Sequence, residues 1–339
     1  MTNFQLPVIV AKLNLMMTKR KIAFFGSDEI AIPSLNALRE FSKNWEICGV
    51  LTQPDRRSGR GRKMLPNPIK KWAVENGIPV MDPEKPGAEI VEWIADLGAD
   101  LILIMAYGHI LKDDLLKIPS CGCVNLHASL LPKYRGASPI ETAIARGEEK
   151  TGVTLMRVIP RMDAGPIIDS ESLLIEGSDT GSDVRRKIAH ACIPLLARNM
   201  NRLFSGNTPC TEQGEKEASY CRKLLKSDGQ LNFNLSARNL IDRNRAFADW
   251  PGSYFWHEDK MLRVGRMSEF SDHHNLLPGQ RLAGYGNSLV VGTGNGAVEI
   301  LELQKPGGIM LPICDFLRGY PLPKEIIFPS PNDQISLIR

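Results

Sequence analysis

A doubly wound, mostly parallel α/β domain followed by a small β-barrel is the fold the sequence predicts, and three observations predict it. Short apolar runs alternate with amphipathic segments from residue 21 to 203. One run, Leu101-Ile-Leu-Ile-Met105, is apolar throughout, as a central parallel strand covered on both faces by helices must be. Beyond Trp250 short alternating strands are punctuated by Gly279, Gly284, Gly286, Gly292, Gly294 and Gly296, a barrel pattern. A chain of 339 residues is long enough for both.

Residues 1–18 carry an apolar patch, Leu6-Pro-Val-Ile-Val-Ala11, with no basic segment before it and no small-residue cleavage site after it. They read as a loosely packed extension and not as a signal peptide. Met17 makes a natural start, an alternative to Met1 that would leave residues 1–16 untranslated. Residues 22–25 form a first strand ending at Gly26, residues 30–41 show helical spacing, and 47–51 is a second strand. A helix ends at 72–76, stopped by Gly77-Ile-Pro79, and 91–97 is amphipathic. Residues 122–127 and 152–158 are further strands, and 180–203 is one long helix with Asp179 near its start. The first domain is thus placed at 19–206. Residues 207–227 are polar and breaker-rich and read as a linker. Ser236 caps a helix through Ala246, which Trp250-Pro251-Gly252 breaks. Strands at 261–267, 288–291 and 297–303 complete a second domain over 228–322, and 323–339 is a loose Pro-rich tail.

Composition narrows the function. Hydrophobic residues at 43% and charged residues at 24% exclude a disordered chain, and no apolar run approaches the 18 or so residues of a membrane span. Seven cysteines form no CxxC pair and no zinc-type set; Cys121-Gly-Cys123 reads as two small thiols on one strand. Their odd, irregular spacing fits a reducing, cytoplasmic setting. A strand ending at Gly26 before a helix is where a dinucleotide would bind. Yet Gly26-Ser-Asp-Glu-Ile-Ala31 has one glycine where that fingerprint needs three. Asp28 and Glu29 would meet a pyrophosphate with carboxylates, so they are read as partners of the helix dipole.

The informative stretch is Val124-Asn-Leu-His-Ala-Ser-Leu-Leu-Pro-Lys-Tyr-Arg-Gly-Ala-Ser-Pro139. Asn125 and His127 stand two apart on a strand and leave the same face at its carboxyl end, where open α/β sheets place ligands. Singly, each has a plainer reading: a turn-forming asparagine and a satisfied core histidine. Together they suit acyl-type transfer, in which an amide N–H and an imidazole hold the oxygen of a tetrahedral adduct while protons move. No nucleophilic Ser or Cys motif accompanies them, so direct attack by a substrate amine is the simpler route. Asp163 in Arg161-Met-Asp-Ala-Gly-Pro166 is the candidate to orient the imidazole; its plainer reading is a turn aspartate.

This run resembles the signature of the folate-dependent formyltransferases, and the likeness extends over nearly the whole chain. The resemblance implies a Rossmann-like catalytic domain and an OB-like barrel, with 10-formyltetrahydrofolate as co-substrate and no metal. By position, Asn125, His127 and Asp163 match the family's catalytic asparagine, histidine and aspartate. Ser129, Leu130, Leu131 and Pro132 match the run lining the tetrahydrofolate site, and Tyr107, Gly108 and Ile110 lie in the loop bordering the pterin pocket.

Residues 54–71 hold seven basic residues and one acid, Asp55, among glycines and prolines, so they read as a mobile loop. Such density beside an active-site edge is best explained by phosphate contact. The loop resembles the insertion by which tRNA-directed members of the family grip initiator tRNA. That implies tRNA contacts from Arg56, Arg57, Arg60, Arg62 and Lys63, with Arg60 foremost, while Arg222 and Lys223 extend a positive track. The implied activity is formylation of the amino group of initiator methionyl-tRNA by a monomer without a membrane partner. The rival is formylation of another amine, such as an amino-sugar nucleotide, by the same three residues. The second domain is charge-neutral over 226–322, with ten basic and ten acidic residues. Two departures from the family pattern are Phe233, where tryptophan is usual, and Ser27-Asp28-Glu29, in place of a Gly-Thr-Pro-like start.

Overall fold

The structure is a computed structural model that describes residues 19–58, 63–206, 208–272, 275–283, 287–332 and 336–338. The extension 1–18, and with it the expectation about its packing, lies outside the described residues. The first part of the chain runs β1 (Arg20–Gly26), α1 (Ile32–Glu40), β2 (Trp45–Leu51), β3 (Arg56–Ser58), β4 (Lys63–Leu65), α2 (Pro68–Glu75) and β5 (Val80–Met81). It continues through α3 (Ala88–Leu97), β6 (Leu101–Met105), α4 (Asp113–Leu116), β7 (Cys123–His127), β8 (Arg135–Gly136), α5 (Pro139–Ala145), β9 (Lys150–Arg157), β10 (Ile167–Leu174) and α6 (Gly181–Phe204).

The central sheet has the order β10-β9-β7-β6-β1-β2-β5. The five strands from β7 to β5 are parallel, and β9 runs antiparallel to β7. From β1 the chain adds strands outward to β5, then crosses to the other side of β1 to place β6 and β7. The order in which strands are added therefore reverses between β1 and β6, where Gly26 pairs with Met105, and a ligand crevice is expected outside their carboxyl ends. All five residues of β6 are buried, which is why that strand is apolar on both faces. On one face Ala23, Phe25, Ile102, Ile104 and Cys123 form a core with Ile90 and Ile94 of α3 and Leu115 of α4. On the opposite face Ser34 of α1 touches Met105.

Local signals account for the helix ends. Asp28 accepts the Ile30 N–H at 3.0 Å as the cap of a short 3₁₀ turn leading into α1, the dipole-partner role expected of it. Asn67 caps α2 through the Ile69 and Lys70 N–H groups, with Pro68 at its first position. Within the basic segment, residues 56–58 and 63–65 pair as a β3–β4 ladder and Lys70 and Lys71 belong to α2, while residues 59–62 lie outside the described residues.

The chain divides into two compact units: residues up to 131 with 152–171 and 188–215, and residues 132–151 and 172–187 with those from 216 on. The second unit contains β8, α5, β11 (Tyr220–Cys221), α7 (Ala237–Ala246), β12 (Ser253–His257), β13 (Lys260–Val264) and β14 (Met267–Phe270). It ends with β15 (Leu289–Gly292), β16 (Ala297–Ile300), β17 (Glu302–Gln304), β18 (Leu311–Pro312) and α8 (Ile313–Gly319). An antiparallel sheet β12-β13-β17-β18 and a second, β14-β16-β15, close around one core. Ser236 caps α7 as expected, its hydroxyl accepting the Asn239 N–H. Phe233 is fully buried with Phe255 and Phe328, and the rings of the latter two lie 4.6 Å apart. Phe328 sits in the segment expected to be loose. That expectation is corrected: its N–H bonds the Gly279 carbonyl at 2.8 Å, and the Arg222 N–H bonds the Leu337 carbonyl.

Candidate active site

β7 places its polar pair by alternation. Cys123, Asn125 and His127 share one face; Cys123 is in the core with α3 and α4, and the other two carry that face on to the strand's carboxyl end. Asn125 is half-buried and His127 is 6% exposed, with Asn125 opposite Met156 and His127 opposite Thr154 on β9. Asp163 lies in the turn 158–166 between β9 and β10. Its Oδ2 stands 3.7 Å from His127 Nδ1. That is ion-pair range, longer than a hydrogen bond.

The run after β7 is held by one hydroxyl. Thr154 Oγ1 donates to the Ser129 carbonyl at 2.6 Å and accepts the Leu131 N–H at 3.1 Å. Gly152 makes room for the same run, since a Cβ there would lie 2.6 Å from Leu130 Cδ2 and 2.2 Å from the Glu171 carbonyl. Ser129 and Leu131 are buried, and Leu130 is half-buried. Pro132 begins the second unit, where its carbonyl accepts the Ser219 N–H.

At the sheet's reversal point, Ala106 and Gly108 take positive φ values of 50° and 82°. In this loop Ala106, Gly108 and Ile110 are exposed. Ser27 Oγ and Gln53 Nε2 both donate to the Tyr107 carbonyl, at 3.4 and 2.8 Å. Gln53 N–H in turn donates to Ser27 Oγ at 3.0 Å. The Tyr107 ring packs inward on Phe25 and His109, and burial pushes its hydroxyl up to about 12. The Tyr107 hydroxyl and His109 Nε2 are buried without a hydrogen-bond partner among the described residues.

Residues 20–198 match the family described as "Formyl transferase", and residues 223–321 match "Formyl transferase, C-terminal domain". Over 303 residues the chain is 39% identical to the methionyl-tRNA formyltransferase of Methylococcus capsulatus, spanning 89% of this chain and 97% of the relative. It is 37% identical over 309 residues to that of Pelotomaculum thermopropionicum, spanning 91% and 98%. The chain belongs to the methionyl-tRNA formyltransferase family. Its fold is also that of the Helicobacter canadensis N-formyltransferase solved with folinic acid and dTDP-3-aminofucose. The TM-score there is 0.63 at 19% identity, over 84% of this chain and 99% of that one.

Enzymes of this family use a formyl-tetrahydrofolate, and the residues of this formyltransferase fit one. The exposed stretch at 106–110 can border a flat heterocycle, and the exposed Ile110 side chain can cover its face. His109 Nε2, buried without a hydrogen-bond partner among the described residues, lies in the same loop. Of the three loop residues expected to border the donor, Gly108 and Ile110 face outward. The Tyr107 side chain belongs to the core.

The expected tRNA contacts of the formyltransferase separate in the structure. Arg56 and Arg57 lie on β3 and Lys63 on β4, while Arg60 and Arg62 fall outside the described residues. Arg56 is exposed and pairs with Glu84 at 2.8 Å. Lys223 is exposed. Arg222 instead forms a buried pair with Asp228 at 2.5 Å and donates to the Ser336 carbonyl; its guanidinium serves the second unit's interior. Burial alone would raise the Asp228 carboxyl, but Arg222 and the Leu225 N–H outweigh it and hold the group below the usual carboxylate range. Two residues went unnoticed in the sequence, Thr154 and Gln213. Thr154 had a findable signal, a hydroxyl directly opposite His127 on the next strand.

Proposed function

We propose that this formyltransferase moves the formyl group of 10-formyltetrahydrofolate onto the amino group of methionyl-tRNA. The acceptor is the initiator species and the setting the cytoplasm, where the product opens translation. The observation that carries the reading is the grouping of Asn125, His127 and Asp163. A carboxamide and an imidazole share one face at the open end of β7, and a carboxylate stands 3.7 Å from the imidazole.

The chemistry assigned to each residue follows from its donor groups. Asn125 offers amide N–H groups to the formyl oxygen as negative charge gathers there under amine attack. His127 donates to the same oxygen, and the Asp163 carboxylate, 3.7 Å from its Nδ1, orients the ring. Asp163 also takes up, directly or through water, the proton the amine loses on forming its new bond to carbon, and a proton is returned to the donor nitrogen as its bond to the formyl carbon breaks and tetrahydrofolate leaves. An aminoacyl ester's amine is less basic than that of a free amino acid, so the enzyme's main tasks are positioning and oxyanion stabilisation. The basic β3–β4 hairpin supports a polyanionic acceptor. No described helix is long and apolar enough to cross a membrane.

The test is formyl transfer from 10-formyltetrahydrofolate to charged initiator tRNA, run beside a dTDP-amino sugar. Transfer to the tRNA alone is expected. Transfer to the sugar alone would overturn the acceptor assignment and leave the donor site standing.

A further inference from the structure

The segment that reads as a linker holds the catalytic turn. Thr211 and Ile167 exchange a pair of backbone hydrogen bonds, each 2.8 Å. Gln213 Nε2 donates to the Asp163 carbonyl at 2.9 Å and to the Gly165 carbonyl at 2.7 Å. Arg161 and Glu215 add an ion pair of 2.6 Å. Residues 211–215 thus form a strap bound at two places to the turn that bears Asp163 and at a third to the first residue of β10.

The turn needs such a strap. Asp163 has φ +48°, the left-handed region that residues with a Cβ seldom occupy unless their surroundings enforce it. At Gly165 a Cβ would lie 1.9 Å from the Arg157 carbonyl, so the chain passes the end of β9 with no slack. The two carbonyls met by Gln213 flank this tight passage. A primary amide brings two N–H donors on one nitrogen, which matches two acceptors. Glutamate has the same length and at neutral pH no donor to offer.

We propose that Gln213 is a positioning residue for formyl transfer: its carboxamide sets the backbone of Asp163 and so keeps the carboxylate within reach of His127. The inference rests on the proposed role of Asp163.

The test uses the full chain with Gln213→Glu, Gln213→Ala, Asp163→Asn and the Gln213→Ala/Asp163→Asn double variant. Single changes at 213 are expected to lower kcat about tenfold to a hundredfold, the scale of a misplaced catalytic group. KM for both substrates should stay within about twofold. In the Asp163→Asn background the further loss should be under about twofold, because a group acting through Asp163 has nothing left to act on. Amide hydrogen exchange across residues 161–167 should quicken in Gln213→Ala. An unchanged kcat, or an equal loss in both backgrounds, overturns the proposal while leaving Asp163 its role. Full activity in Asp163→Asn overturns both. Should Gln213→Ala fail to fold, Gln213→Glu alone and with Asp163→Asn supplies the same cycle.

Discussion

The carboxyl end of β7 and the core of the second unit treat buried space in opposite ways. The core fills it with Phe233, Phe255 and Phe328, each worth roughly 1.5–3 kcal/mol of burial. β7 gives two positions of a parallel strand to Asn125 and His127, where apolar side chains would pack with no polar group to satisfy. One region is arranged for stability and the other gives some of it up for chemistry. Substitutions should therefore separate the two properties cleanly.

The largest stability effect is expected from Phe328→Ala, a loss of about 3–5 kcal/mol in urea unfolding. Turnover per folded molecule should stay near normal. A loss under about 1 kcal/mol would mean that the residue 323–339 segment packs less firmly than the ring contacts indicate. The mirror image is His127→Ala or Asn125→Ala. Each should lower kcat by roughly 10²-fold or more while the melting temperature holds or rises. If both turn over normally, the site lies elsewhere.

A smaller effect belongs to pH. The Asp228 carboxyl is held low in the folded chain, so its stabilisation is complete above the unfolded value near ~3.9 and is lost as pH falls through the folded one. Stability of the second unit should drop below about pH 4, and Asp228→Asn should flatten that acid limb at the expense of stability at neutral pH. An unchanged acid limb would place the titrating groups elsewhere. Smallest in stability are Arg60→Ala and Lys223→Ala. Each should weaken use of charged tRNA and reduce the salt slope by about one, with folate binding untouched. Impaired folate binding in Arg60→Ala would show that the loop serves the donor.

Much of this was legible because it depends on neighbours in sequence. The all-apolar β6, the long helix found at Gly181–Phe204 and the Ser236 cap follow from periodicity and local hydrogen bonding. The pair on β7 was visible because polar residues on a buried parallel strand need a reason. β10 escaped notice: it alternates half-buried with exposed residues and carries Asp169, Ser170 and Glu171, so it reads as loop. The hairpin at residues 56–65 was masked by its charges, although Asn67-Pro68 announced the helix after it. The residue 323–339 segment and Gln213 lay beyond reach for another reason. Their partners, Gly279 and Asp163, are about fifty residues away, and composition carries no record of such bonds.

The root of the basic hairpin is fastened in a way that bears on both substrates. Asn67 donates its backbone N–H to the Asp55 carboxylate and reaches back with its amide to the Ser27 carbonyl at 3.3 Å. Ser27 and Gln53 meanwhile grip the Tyr107 carbonyl. On the proposed reading, a pull on the hairpin by a polyanion is delivered to the same few atoms that hold the loop at residues 106–110. The basic hairpin and the loop at residues 106–110 share a single fulcrum.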